Sequence, residues 1–215
     1  MSVRTQEPVS LWNHFADLNS VPRPSKKEER VIEFMMNFGR QLNLETLKDE
    51  IGNVIIKKPA SPGMENRKKV ILQSHLDMVH QKNGDTVFNF DNEGIKMRVQ
   101  GDWIDAEGTT LGADNGIGVA TIMATLSSNE IEHPALEALF TIDEETGMTG
   151  AKEMDGGLFS GEILLNLDTE DDDELSIGCA GGIDTNTSYT CKSIVTPKDY
   201  SFLPVSYTHL RAHET

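Results

Sequence analysis

At 215 residues, with 37% hydrophobic and 25% charged side chains, the chain has enough apolar mass to bury a core as one large domain or two small ones. Its 35 acidic residues against 19 basic ones give a formal net charge of -16, which argues against nucleic acid or an anionic membrane as a partner. Two cysteines, Cys179 and Cys191, cannot build a disulfide framework, and neither a signal-peptide pattern nor a membrane-length apolar run is present, so a reducing cytoplasm is the expected setting.

Residues 10–19 carry Leu11, Trp12, Phe15 and Leu18 at helical spacing, which predicts a short amphipathic helix. Val21-Pro22-Arg23-Pro24 breaks it. Ser25-Lys26-Lys27-Glu28 then has capping-box form, and Val31, Met35, Phe38 and Leu42 share one face of a packing helix reaching about Leu42. Residues 53–57 read as a strand, closed by the turn Pro59-Ala60-Ser61-Pro62-Gly63.

Val70-Ile71-Leu72 is short and β-branched, a buried strand by pattern, and it runs through Gln73-Ser74 into His75 and, two residues on, Asp77. Residues 81–101 are polar and glycine-dotted and read as a surface excursion, with residues 95–99 alternating like a half-exposed strand. The glycine-rich turn Thr109-Thr110-Leu111-Gly112-Ala113-Asp114-Asn115-Gly116 leads into a helix over residues 117–127. Gly116-Ile117-Gly118 is not a dinucleotide site, because position 121 is Thr and no clear strand runs straight into the turn.

Residues 136–142 form an apolar run that ends in Asp143-Glu144-Glu145, and residues 163–167 form another that ends in Asp168. A lone His after a strand is more often a hydrogen-bonded structural residue. Three runs that each deliver a metal-competent side chain at the same end suggest parallel neighbours in one sheet, whose carboxyl ends are where open α/β sheets place ligands. Residues 170–174 are an acidic run that reads as a solvated loop, and residues 177–183 a small-residue segment that allows close backbone approach. From Asp184 the chain alternates Thr185, Thr187, Tyr189 and Cys191, as if opening a strand of a new domain.

One His with three or more carboxylates from separate strand ends suits a hard or borderline divalent ion such as Zn²⁺ or Mn²⁺. Carboxylates in excess of one ion's needs suggest two, with Asp114 the candidate bridge; such pairs lie roughly 3.5–4 Å apart and lower the pKa of a shared water. Glu144 and Glu145 point different ways from an extended backbone, so one can bind metal while the other serves as general base. Asp77 is spaced to accept the second N–H of His75 and fix its orientation.

These segments, Ser74-His75-Leu76-Asp77-Met78-Val79, the Thr109 to Gly116 turn, Asp143-Glu144-Glu145-Thr146-Gly147 and Asn166-Leu167-Asp168-Thr169-Glu170, resemble the successive metal-site motifs of the cytosolic aminoacyl-histidine (Xaa-His, non-specific) dipeptidases. Gly178-Cys179-Ala180-Gly181-Gly182 and Lys58-Pro59-Ala60 followed by Gly63-Met64-Glu65-Asn66-Arg67-Lys68 are similar to the same group. The resemblance covers about residues 8–200 and lies within the wider co-catalytic zinc peptidases. It implies an α/β fold with a mixed, mostly parallel sheet flanked by helices. It also implies two divalent ions, zinc first with manganese or cobalt as alternatives: His75 and Asp168 on one, Asp114 bridging, Glu145 on the second, Glu144 as general base and Asp77 as the orienting carboxylate.

In such enzymes a distal His completes the second site, and no counterpart is found here. The expected organisation is therefore the N-terminal part of a catalytic domain over residues 1–183 and the start of an inserted lid and dimerisation domain over residues 184–204. Residues 205–215 resemble the translated read-through of a sequencing adapter and are set aside; His209 and His213 within them have the i, i+4 spacing of a helical zinc pair. The expected activity is hydrolysis of dipeptides, Xaa-His and broader, by a metal-activated water at a dinuclear zinc site, with a homodimeric full-length parent and this chain by itself inactive. Rival readings are a tripeptidase, aminoacylase or deacetylase of the same family, or a non-catalytic acidic cation-binding module in which Glu144 is dispensable.

Overall fold

The computed structural model describes residues 2–169 and 174–178, with Ser188 and Thr190. The chain divides into a unit Met1–Asp172 and a second, Asp173–Thr215, whose few described residues have no regular secondary structure. Most of the acidic run, the segment from Cys179 to Gly182, the expected start of a lid domain and the 205–215 tail lie outside the described residues.

Among the described residues five strands form the main sheet: β1 (Glu45–Lys48), β2 (Val54–Lys58), β3 (Val70–His75), β6 (Leu136–Thr141) and β7 (Ile163–Asn166), in the order β1-β2-β6-β3-β7. β1 pairs antiparallel with β2, and β2 antiparallel with β6, while β3 lies parallel to both β6 and β7. The three strands expected to be parallel neighbours are therefore adjacent. Their register aligns Val70 with Leu136 and with Ile163, so all three point their carboxyl ends the same way. Every residue of β6 is buried, which is why its sequence is mainly apolar rather than alternating; its one charged residue, Glu137, accepts from Lys69 and Ser160. β7 is exposed along its length at the sheet's edge.

Helices α1 (Val9–Asn19), α2 (Glu29–Gln41) and α3 (Ala113–Ser127) supply the main core on one face of the sheet. Leu18, Val31, Met35, Val119, Ile122 and Met123 pack there with Val54, Ile56, Ala138 and Phe140. The intervening strand residues Ile55, Ile71 and Leu139 face the other way, as the two-residue period of a strand demands. They are covered by Met154, Leu158 and Phe159, from the segment after the short helix α4 (Thr149–Glu153). Each fully buried large side chain contributes about 1.5–3 kcal/mol from area alone.

The half-exposed strand expected near residues 95–99 is β4 (Met97–Gln100), and it pairs antiparallel with β5 (Trp103–Ala106), just past the polar excursion, pinned by Arg98 Nε donating to Asp105 Oδ1 at 2.6 Å. The edge strand β1 is mostly polar and β5 only four residues long, so neither stands out by pattern. The capping box expected at Ser25 does not form. α2 begins at Glu29 with Glu28 as its cap residue, and the Ser25 hydroxyl donates instead to the buried Asp77 carboxylate at 2.8 Å. A charge-assisted bond to a buried carboxylate outweighs a neutral cap.

Candidate metal centre

β3 ends on His75, whose imidazole is fully buried. Nδ1 lies 3.2 Å from Asp77 Oδ1, while Nε2 faces Asp114 Oδ1 at 3.0 Å and Asp168 Oδ1 at 3.7 Å. An Nδ1–H donated to Asp77 leaves Nε2 as the atom that faces the two carboxylates, donating to them when the ring is charged and free to ligate a metal when it is neutral. Ligand atoms of His75, Asp114 and Glu145 all fall within 4.8 Å of one another, and so do those of His75, Glu144 and Asp168. The structure thus brings together the expected metal residues, from a strand end, a helix start and two loops. It adds that Glu144 lies within ligand reach as well as Glu145.

Asp114 sits where α3 starts irregularly. The cap residue Gly112 takes the left-handed φ of +70°, Asp114 and Asn115 are non-helical, and the peptide between them is cis. Gly112 is needed for that φ. The Asn115 amide then donates to Leu167 O at 2.7 Å and Asp168 Oδ1 at 2.9 Å, and its carbonyl accepts a hydrogen bond from the Ser74 hydroxyl. One side chain therefore fastens the Asp114 turn to the Asp168 loop. Gly118 lies beneath it, since a Cβ there would come within 2.5 Å of Asn115 Oδ1 and 2.7 Å of Leu167 O.

The Asp143-Glu144-Glu145 turn is held by its backbone. Asp143 N donates to Glu28 Oε1 at 3.1 Å, Glu144 N to Asp77 Oδ1 at 3.0 Å and Glu145 N to Asp77 Oδ2 at 3.2 Å. Three consecutive amides are thus captured by two buried carboxylates. Asp143, with φ +52°, turns inward to accept from the Thr146 and Thr149 hydroxyls, which leaves its two neighbours to face the cleft.

The electrostatics show what this cluster is suited to hold. Burial would raise the Asp77 carboxyl, but its hydrogen bonds with His75, the Glu144 amide and Ser25 hold it down at about 2. Burial also opposes charging of His75, yet its bonds to Asp114 and Asp77 and the charge of Asp168 carry it up to about 10. Asp168 is pushed up to about 6, by burial first and then by Asp114 and Glu144, against the pull of His75. Glu145 is raised by burial and then by Asp114. One imidazolium cannot neutralise this much crowded negative charge. A cationic ligand can, and an imidazole nitrogen with carboxylate oxygens is a donor set for a divalent metal.

Sequence reasoning located His75, Asp77, Asp114, Glu144, Glu145 and Asp168 but passed over Ser25, Glu28 and Arg23 and gave Asn115 no task. These act on groups far away in the chain, 115 positions in the case of Glu28 and Asp143, so no local pattern marks them.

Residues 71–193 match the sequence profile of Peptidase family M20/M25/M40. The chain is 47% identical over 177 residues to the cytosol non-specific dipeptidase of Escherichia coli (strain K12), covering 82% of this chain and 36% of that protein. Its fold is similar to the crystal structure of aminoacylhistidine dipeptidase from Vibrio alginolyticus, with a TM-score of 0.79 and 48% identity over 80% of this chain and 35% of that one. An aminopeptidase from Bacillus cereus ATCC 10987 matches with a TM-score of 0.63 and 26% identity, over 75% of this chain and 43% of that one. The chain therefore spans a little over a third of the length of this curated relative.

Proposed function

The chain belongs to Peptidase family M20/M25/M40, and from that membership we propose that it carries the N-terminal part of the catalytic site of a metal-dependent dipeptidase. The observation that carries the reading is the convergence of His75, Asp114, Glu144, Glu145 and Asp168 on one cleft, from elements distant in the chain. The names of two relatives, both dipeptidases at nearly half identity, support dipeptides as the substrate class.

His75, Asp114, Glu145 and Asp168 would hold two divalent ions, zinc first, with Asp114 shared between them. Ions so held supply Lewis acidity and lower the pKa of water, the chemistry that amide hydrolysis needs at neutral pH. Glu144 acts as general base: its carboxylate takes a proton from the attacking water and returns it to the amine nitrogen that leaves when the C–N bond breaks. Asp77 keeps the His75 ring in place and, through the two amides it accepts, positions Glu144 and Glu145. Residues 1–183 belong to the catalytic domain in this reading. No described helix is long and apolar enough to cross a membrane, and the bacterial relative is named as cytosolic, which supports a cytosolic setting for this chain.

The test is Glu144→Gln in the intact protein, assayed on a histidine-containing dipeptide beside a tripeptide and an N-acyl amino acid. Turnover should fall about 10²- to 10⁴-fold with metal content unchanged. Activity that survives within a few-fold removes Glu144 as the base, and a preference for the tripeptide or the acyl amino acid removes the dipeptide assignment.

A further inference from the structure

Arg23 is the largest fully buried side chain of the described residues, and the function above leaves it without a task. Its Nη1 donates to the carbonyls of Leu76 at 3.0 Å and Asp77 at 3.1 Å. Its Nη2 donates to Asn19 Oδ1 at 3.0 Å and to the carbonyl of Gly112 at 2.5 Å. Leu76 and Asp77 directly follow His75, and Gly112 stands two residues before Asp114. One planar cation therefore bridges the backbone beside one candidate ligand to the backbone beside another, across 89 positions of sequence in the case of Gly112.

The surroundings are built around this group. A Cβ on Gly112 would come within 2.5 Å of Nη2 and one on Gly116 within 2.7 Å, so the two glycines that flank Asp114 leave room for the guanidinium. Pro22 and Pro24 fix φ on either side of it. Pro24 forms a parallel bridge with Met78, and Ser25 N donates to Met78 O at 3.4 Å, so the arginine's own segment runs along the chain that leaves His75. Its Nε is buried without an acceptor, and the four Nη contacts alone set its position. The charges of Asp77, Asp114 and Glu145, all carboxylates of the site, favour its charged form against burial, which lowers its pKa to about 10.

We propose that Arg23 is a positioning residue that sets the separation of His75 from Asp114, and through it the geometry in which the site holds a divalent ion. The inference rests on the metal-site reading above. Lysine cannot replace arginine in this role: an ammonium keeps the charge but cannot reach four acceptors spread around a planar fork.

The experiment compares the intact protein with its Arg23→Lys, Gly116→Ala and Leu126→Ala variants. Leu126 is buried toward the far end of α3 and serves as a destabilised control. Metal-stripped protein is titrated with Zn²⁺ by calorimetry, and the visible spectrum of the Co²⁺-loaded form is recorded. Arg23→Lys should bind Zn²⁺ about 10- to 100-fold more weakly and shift the Co²⁺ bands, as loss of an orienting partner does in other metal sites. Gly116→Ala, which crowds Nη2 and also the buried Phe15 ring without touching the charge, should move both readouts in the same direction, beyond what the core-destabilised Leu126→Ala shows, and stands in should Arg23→Lys fail to fold. Leu126→Ala should lower the unfolding midpoint and leave affinity and spectrum unchanged. If Arg23→Lys, or Gly116→Ala in its place, changes neither readout, or changes affinity no more than Leu126→Ala, the inference is overturned while the metal-site reading stands. A parent that takes up no divalent ion overturns both.

Discussion

Asp77→Asn is nearly isosteric, yet it should be among the most damaging single changes in this protein. The carboxylate is fully buried and accepts from four donors: His75 Nδ1 and Glu144 N on Oδ1, Ser25 Oγ and Glu145 N on Oδ2. An asparagine can serve only one of those pairs with its oxygen, and its NH₂ must face the other. Turned toward Ser25, it can donate to the hydroxyl, which rotates, but the Glu145 amide loses its acceptor. Turned toward His75, it orphans the Glu144 amide and sets a donor against Nδ1, so that only the Asp77 backbone carbonyl, 3.1 Å away, is left to hold the ring. A buried donor left unpaired costs about 1–3 kcal/mol, and charge-assisted bonds lost from its neighbours bring the expected destabilisation to about 3 kcal/mol. Metal affinity should fall about 10- to 100-fold, since the ring loses the carboxylate that orients it and the Glu144-Glu145 turn loses an anchor. Urea unfolding of the metal-stripped intact protein, with Zn²⁺ titration of the folded form, measures both. A loss under about 1 kcal/mol together with unchanged affinity would refute the idea that this carboxylate assembles the site.

Gly118→Ala would put a methyl group against Asn115 Oδ1 and the Leu167 carbonyl, and should cost about 1–3 kcal/mol and weaken Zn²⁺ binding, read by the same two measurements. Phe140→Ala, at a fully buried position of β6, should cost about 3–5 kcal/mol in urea unfolding, a loss of packing that a Phe140→Leu variant should largely recover. His14, half-buried between Ser127 and Phe38, has its pKa lowered by burial against the opposing charge of Asp17. Below pH 6.5 the unfolded chain therefore takes up a proton that the folded chain refuses, and stability falls as pH drops from 6.5 toward the folded pKa. His14→Gln should flatten the stability profile in that window, and a profile with unchanged slope would show that His14 is not responsible.

The sequence by itself determined most of the elements and the residue types of the candidate site. A short, mainly apolar run bounded by turn signals fits a buried strand, and β6 is one; three such runs, each ending in an imidazole or carboxylate, already suggested parallel neighbours with those side chains at one end, although β7 is exposed. His75, Asp77, Asp114, Glu144, Glu145 and Asp168 were legible because each lies in the glycine-rich turn or no more than four residues past the last strand residue, where the run before it still marks the place. What tertiary structure alone decided is how those ends are held together. Glu28 looked like the second half of a capping box, Arg23 like a passenger between two helix-breaking prolines, and Asn115 like filler in a glycine-rich turn. Each proved to grip backbone or side-chain atoms brought near only by the packing of α1, α2 and α3 on the sheet. Hydrogen bonds of this kind join groups 50 to 115 positions apart. Their energy depends on burial, which excludes competing water, and burial is a property of the folded chain that no local pattern of residues encodes.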